Sequence, residues 1–190
     1  MNIALVSCDK LPGWEVDDNP LIEALVKHGA TVHRPSWTSD IDWNQFDVSV
    51  IRTTWDYHSR KSSFVNWCKT IPRLFNNAEV IEWNTHKSYL LELAQKGTGI
   101  APTTWIGMNE TIDVQKELQN FESSKGFIKP QVGACASDTL RFTCEEVKEA
   151  QQFLRDNAHQ DMMLQPYLQS VETEGELTAV FIDGEYTHGV

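Results

Sequence analysis

The chain has 190 residues, 41% of them hydrophobic and 23% charged, enough apolar side chain to bury a core. Its net charge of −11 repels a phosphate backbone and argues against nucleic acid as a partner, although a local pocket of lysines and backbone N–H groups can still hold an anionic small molecule such as ATP. No apolar run approaches the ~18 residues that cross a bilayer, so no membrane segment is expected and the amino terminus reads as a strand rather than a signal peptide.

Asn2 to Ser7 is a compact apolar strand, followed by a polar loop from Cys8 to Asn19. Pro20 stands where a helix takes its first residue, Leu21, Ile22, Leu25 and Val26 have helical spacing, and Gly29 is placed to end the helix. Thr31 to Arg34 and Val48 to Ile51 read as strands, Ser63 to Thr70 as a helix, and Val80 to Trp83 as a fourth strand. This alternation predicts an α/β unit with a largely parallel sheet over residues 1–84.

A helix is expected from Thr85 to Gln95, ended by Gly97 and Gly99, and another from Asp113 to Ser123. Phe127 to Lys129 is a short strand broken by Pro130. Thr143-Cys144-Glu145-Glu146 fits a capping box that opens a helix to about Asn157. Met162 to Leu164 is another strand, and Glu176 to Ile182 and Glu185 to Val190 flank Asp183-Gly184, a strong hairpin signal. An isolated hairpin is marginal in water, so either these strands pair with something upstream or the natural protein continues, and continuation is the expectation.

Cys8, Cys68, Cys135 and Cys144 have no metal-site spacing and read as buried, reduced thiols of a cytoplasmic protein. The histidines show no H-E-x-x-H or H-x-x-x-H pattern, so no protein-only zinc site is expected. Common nucleotide motifs fail as well. There is no G-x-x-x-x-G-K-[ST], and Gly97-Thr98-Gly99 follows a helix, where a dinucleotide fingerprint would follow a strand.

Three other segments carry chemistry. In Phe127-Ile128-Lys129-Pro130 a strand presents a lysine before the small-residue loop Gly133 to Ser137, which lets backbone N–H groups approach a phosphate. An exposed lysine beside a mobile loop is the plainer account of the same residues. Leu164-Gln165-Pro166-Tyr167-Leu168 leads into an acidic stretch and a strand; glutamine suits an adenine amino group and a carboxylate suits ribose hydroxyls. Glu172 and Glu174 read as a solvated acidic turn. Asn84-Thr85-His86-Lys87 places a lysine where a helix dipole disfavours it unless it has another task.

In this order the segments resemble the ATP-grasp superfamily, most closely its glutathione-synthetase-like ligases and the branch containing the D-cycloserine-forming ligase. Arg52-Thr53-Thr54-Trp55-Asp56-Tyr57, Ser137 to Phe142 and Val171 to Glu176 resemble that branch in particular. The resemblance implies an α/β pre-ATP-grasp (Rossmann-like) domain over residues 1–84 and an incomplete ATP-grasp α+β domain over 85–190. It implies that Lys87 and Lys129 contact the ATP phosphates and that Gly133, Ala134, Ala136 and Ser137 fold over them. Gln165 and Leu168 would meet the adenine, Leu168 through its backbone, Glu176 would hold the ribose, and Tyr167 is counted among the ATP-binding residues. Arg52, Trp55, Asp56 and Tyr57 would be substrate-side residues, or equally a structural Arg–Asp pair with packed rings.

The implied reaction is ATP-dependent: a carboxylate is activated as acyl phosphate, then attacked by an amine or similar nucleophile. Mg2+ would be required, with its ligands beyond the end of this chain; Asp183 and Glu185 are not expected to bind it. Two other readings compete, a truncated nucleotide- or partner-binding module without catalysis and an α/β binding domain unrelated to ATP. Exposed hairpin edges and seven tryptophans are compatible with a homo-oligomer.

Overall fold

The computed structural model describes residues 1–11, 18–134 and 136–190. Strand β1 (Asn2–Ser7) is nearly all buried, as its apolar run requires. Helix α1 (Asn19–Lys27) follows with Pro20 in its first turn, and Gly29, at φ 82°, ends it as expected. Strand β2 (Thr31–His33) and strand β3 (Val48–Thr53) lie on either side of β1, both parallel to it, and β3 runs far enough to include Arg52. Helix α2 (Lys61–Thr70) leads to the two-residue strand β4 (Leu74–Phe75), giving a parallel sheet in the order β2-β1-β3-β4.

The expected strand at Val80 to Trp83 is instead helix α3 (Ala78–Asn84). Asn77 caps it, its side chain accepting from the Val80 N–H at 2.9 Å, and Val80 and Trp83 remain partly exposed. A cap at the right distance outweighs the strand preference of a β-branched pair. The fourth strand is β4, too short to show a period.

Helix α4 (Tyr89–Gln95) starts four residues later than expected, so Thr85 to Ser88 form turns. Helix α5 (Val114–Asn120), capped by the Asp113 carboxylate, stops before Ser123. Strand β5 (Thr104–Ile106) was not expected, nor was β7 (Leu140–Thr143), which ends on the residue assigned to a helix cap. The Glu146 carboxylate does accept from the Thr143 N–H at 2.8 Å, half of a capping box, but α6 begins only at Val147 and runs to Asp156 (Val147–Asp156).

Strand β6 (Lys125–Pro130) includes Pro130 as its last residue rather than being broken by it, and β8 covers Met162–Pro166. These strands form an antiparallel sheet in the order β5-β8-β6-β7. A four-residue helix α7 (Ser170–Thr173) leads to the hairpin β9 (Ala179–Ile182) and β10 (Glu185–Gly189). Asp183 and Gly184 both have positive φ, 52° and 80°, the backbone of a two-residue turn that matches strand twist.

Each four-stranded sheet has its own apolar cluster. Under the parallel sheet, Ala4, Val6, Trp43, Phe46, Phe64 and Cys68 pack together, and burial pushes the Cys68 thiol up to about 12. Under the antiparallel sheet, Ile128, Phe142, Met162 and Leu164 meet Leu118 of α5 and Leu154 of α6. Cys8 and Cys68 are buried as expected; Cys144 is exposed, because it lies in the turn after β7, and Cys135 falls outside the described residues. No helix among the described residues is long and apolar enough to cross a membrane.

Asp18, 2% exposed, fastens the C-terminal edge of the parallel sheet. Its Oδ1 accepts from Arg52 through Nε at 3.0 Å and through Nη2, and its Oδ2 lies 3.8 Å from Arg34. Asp18→Ala leaves two guanidinium groups facing each other with no anion between them. Both arginines reach water, so the expected cost is about 1–3 kcal/mol, less than for a fully buried pair. Urea denaturation of wild type and variant measures it; an unchanged midpoint would remove Asp18 from the fold's supports.

Candidate nucleotide site

The period of β6 builds the site. Gly126, Ile128 and Pro130 face the core, so Lys125, Phe127 and Lys129 face the other side. In register with them stand Gln165 on β8, opposite Phe127, and Arg141 on β7, also opposite Phe127. Two clefts share Phe127 and Lys129.

The first cleft, about 230 Å³, is lined by Lys87, Lys129, Gly133, Ala134, Ala136 and Ser137, among others. All six were expected to meet phosphate. Lys87 is held from both ends: its N–H donates to Gln131 O at 2.8 Å and its Nζ to Gly133 O at 3.1 Å. A side chain at position 133 would force its neighbour to shift, because a Cβ there would sit 2.8 Å from Pro130 Cγ. Ala136 and Asp138 adopt positive φ, 55° and 52°. Two non-glycine residues in this sparsely used region carry strain of the kind that concentrates at ligand sites.

Electrostatics single out the two lysines. Burial lowers the pKa of Lys87 below the ordinary lysine value, and the charge of Lys129 lowers it further. Burial also lowers Lys129, with Glu176 opposing. Among the described residues neither ammonium has a carboxylate within ion-pair distance. Two like charges, half removed from water and unpaired, are costly unless an anion joins them.

The second cleft, about 520 Å³, is lined by Phe127, Gln165, Tyr167, Leu168, Val171 and Glu176 together with Lys129 and Arg141. The Gln165 amide nitrogen donates to Thr103 Oγ1 at 2.8 Å, which leaves its carbonyl oxygen as the group for an amino donor. Its volume lies in the range of small-molecule sites.

Gln131 went unnoticed in the sequence. It is 6% exposed, and its side chain donates to Met162 O at 2.8 Å and Ile106 O at 3.4 Å. Its own backbone oxygen receives Lys87, so it ties the Lys87 turn to β5 and β8. His86 is fixed beside it by Ser88 at 2.8 Å and Asp161 at 3.5 Å. Burial and then Lys61 lower the His86 pKa, with Asp161 opposing.

Arg52, Trp55, Asp56 and Tyr57 lie apart from these clefts in the sequence order, at the C-terminal edge of β3. Arg52 does not pair with Asp56: it pairs with Asp18, and Asp56 accepts from Trp37 Nε1 at 2.8 Å and from Arg60. Tyr57 packs on Phe64, ring centroids 5.7 Å apart. Glu172, expected in a solvated turn, is exposed but held by Arg141 at 2.7 Å.

The chain is similar to several known proteins. Residues 3–76 match the family described as D-cycloserine synthetase DcsG, N-terminal domain. The cycloserine biosynthesis protein DcsG of Streptomyces lavendulae is 28% identical over 189 residues, covering 93% of this chain and 62% of that protein. The crystal structure of D-cycloserine synthetase DcsG superposes with a TM-score of 0.87 at 27% identity, covering all of this chain and 67% of that one. D-alanyl-alanine synthetase A from Vibrio cholerae shares the fold alone, with a TM-score of 0.67 at 14% identity over 98% of this chain and 65% of that one. This chain therefore spans less than two thirds of the curated relative's length.

Proposed function

Because the chain resembles the D-cycloserine-ligase-like branch of the ATP-grasp superfamily in sequence and in fold, we propose that it binds ATP across the two clefts, as the nucleotide-binding part of an ATP-dependent ligase. The observation that carries this reading is the pair of half-buried, unpaired ammonium groups beside a strained loop of small residues. Residues 1–84 form the pre-ATP-grasp domain and 85–190 part of the ATP-grasp domain.

ATP supplies the phosphoryl group that activates a carboxylate as acyl phosphate, which an amine or similar nucleophile then attacks. Lys129 neutralises phosphate oxygens directly. Lys87 does the same while holding Gly133, so one side chain both binds charge and shapes the loop. The N–H groups of Gly133 to Ser137 cover the phosphates, and the small side chains keep the approach open. In the larger cleft Gln165 Oε1 and the Leu168 backbone take the adenine edge, Phe127 and Leu168 flank it, and Glu176 accepts from the ribose hydroxyls. These groups act by positioning and charge neutralisation. Among the described residues no cluster of His, Cys, Asp or Glu could hold a metal ion, so no residue here is assigned to Mg2+. Arg52, Trp55, Asp56 and Tyr57 are assigned to the substrate side on their place near the crevice between β1 and β3, where the strand order of the parallel sheet reverses.

A second reading is a nucleotide-binding module without turnover. One measurement separates both from a domain unrelated to ATP. A non-hydrolysable ATP analogue at ~100 times its dissociation constant adds about 2.7 kcal/mol, a rise in Tm of roughly 5–10 °C for a chain of this size. No rise in a folded sample rejects the nucleotide site. A rise without product from ATP, carboxylate and amine leaves the module.

A further inference from the structure

Two stretches that resemble the ligase branch, Ser137 to Phe142 and Val171 to Glu176, contain residues with no part in holding phosphate or ribose. The fold joins them. Arg141 Nη1 donates to Tyr167 OH at 3.0 Å and to Glu172 Oε1 at 2.7 Å. The Tyr167 hydroxyl lies 3.2 Å from the same carboxylate oxygen, and Gln169 Nε2 donates to the other at 2.6 Å. The guanidinium also sits 5.1 Å from the Tyr167 ring centroid.

Strand order gives this contact its mechanical meaning. α7 leaves β8, whereas Arg141 belongs to β7, and β6 lies between those strands. The network thus spans the face that carries Phe127 and fastens α7 to the far strand. Leu168 and Val171, which wall the larger cleft, belong to the fastened segment. Otherwise α7 is a four-residue helix with no side-chain cap and no buried residue.

We propose that Arg141, Glu172 and the Tyr167 hydroxyl form a latch that sets the position of the α7 wall, making Arg141 and Glu172 positioning residues for the nucleobase. The assignment of the ligand rests on the nucleotide reading of the cleft. Both charged side chains reach solvent, at 58% and 37% exposure, so the pair is screened by salt and modest in strength. Its value lies in direction: one guanidinium nitrogen serves two acceptors on one segment.

The test uses Arg141→Ala, Glu172→Ala and the charge-swapped Arg141→Glu/Glu172→Arg, all in the 190-residue chain. ATP-analogue affinity is measured by titration, and amide exchange is followed at residues 170–174. Each single variant should bind roughly three- to fivefold more weakly, an effect that shrinks at high salt, and should exchange faster at those amides with unchanged Tm. The swapped pair should recover most of both losses, which a merely structural role would not give. Single variants that bind and exchange like wild type, or a swapped pair no better than either, overturn the latch. Absence of binding by wild type overturns the nucleotide reading instead, and the exchange comparison still decides the latch.

Discussion

Replacing Lys129 by Ala should weaken ATP-analogue binding by about 10- to 100-fold, the loss of one charge-assisted contact, and should not lower Tm. The absence of a stability cost is as informative as the loss of affinity. In the unliganded chain Lys129 is half-buried, has no ion-pair partner among the described residues and repels Lys87. Removing such a charge relieves the fold. The pH dependence follows the same logic. Burial lowers both lysine pKa values, so below the ordinary value of 10.5 the unfolded chain holds more protons than the folded one. The penalty is fully present at neutral pH and is relieved as pH rises through the folded pKa values, so the unliganded chain gains stability toward alkaline pH from this source. Nucleotide does the opposite. An anion favours the ammonium forms, binding takes up protons, and affinity falls over the same rise. Titrations from pH 7 to about 10, with Tm measured alongside, would show opposed trends; an affinity indifferent to pH and to Lys129→Ala would mean that the lysines do not hold the ligand.

What could be read from the sequence, and what could not, follows from how far each signal reaches. β1, α1 and the Asp183-Gly184 turn are specified by their own residues: an apolar run, a proline with helical spacing, two positions that accept positive φ. α3 failed because Val80 and Ile81 favour strand while the deciding contact comes from Asn77, three residues upstream. β5 and β7 are three and four residues long and acquire their pairing from β8 and β6, so no local period marks them. The same limit moved the start of α4. His86 and Ser88 bond to each other, and Lys87 bonds to Gln131, forty-four positions on, in place of a helical partner.

The residues proposed to meet phosphate could be picked out together because their signal is local: a strand-end lysine followed by residues too small to obstruct a ligand. The structure brings all of those positions to one cleft. Gln131 was invisible for the opposite reason. Its side chain reaches the backbone of two distant strands and its carbonyl the Lys87 turn, and a glutamine next to a proline announces none of these contacts. Arg52 and Asp56 were noticed, and a structural pair between them was one of two readings; the structure does not pair them. They are four residues apart at a strand end, where no helix brings them together, and each found a partner elsewhere in the sheet's edge.

The site also depends on a contact beneath it, where the largest stability effect is expected. Phe142 is 2% exposed, and its ring lies under β6 at the one position without a side chain. A Cβ at Gly126 would stand 2.4 Å and 2.5 Å from ring atoms of Phe142 and 3.1 Å from Leu118. Phe142→Ala should therefore cost about 3–5 kcal/mol, a fall in Tm of roughly 6–20 °C. Gly126→Ala should cost about 1–3 kcal/mol by overpacking, because the ring is enclosed and has no free direction of retreat. The double variant discriminates. With the ring gone, the added methyl enters vacated volume, so the two costs should fall short of their sum by about 1 kcal/mol or more. Strict additivity would mean that ring and strand do not press on each other. Coupling would carry a consequence above the sheet, since β6 presents Phe127 and Lys129 on its other face. Gly126→Ala, which alters no group of either cleft, should then weaken nucleotide binding at temperatures where the variant is fully folded, through the displacement of β6 alone.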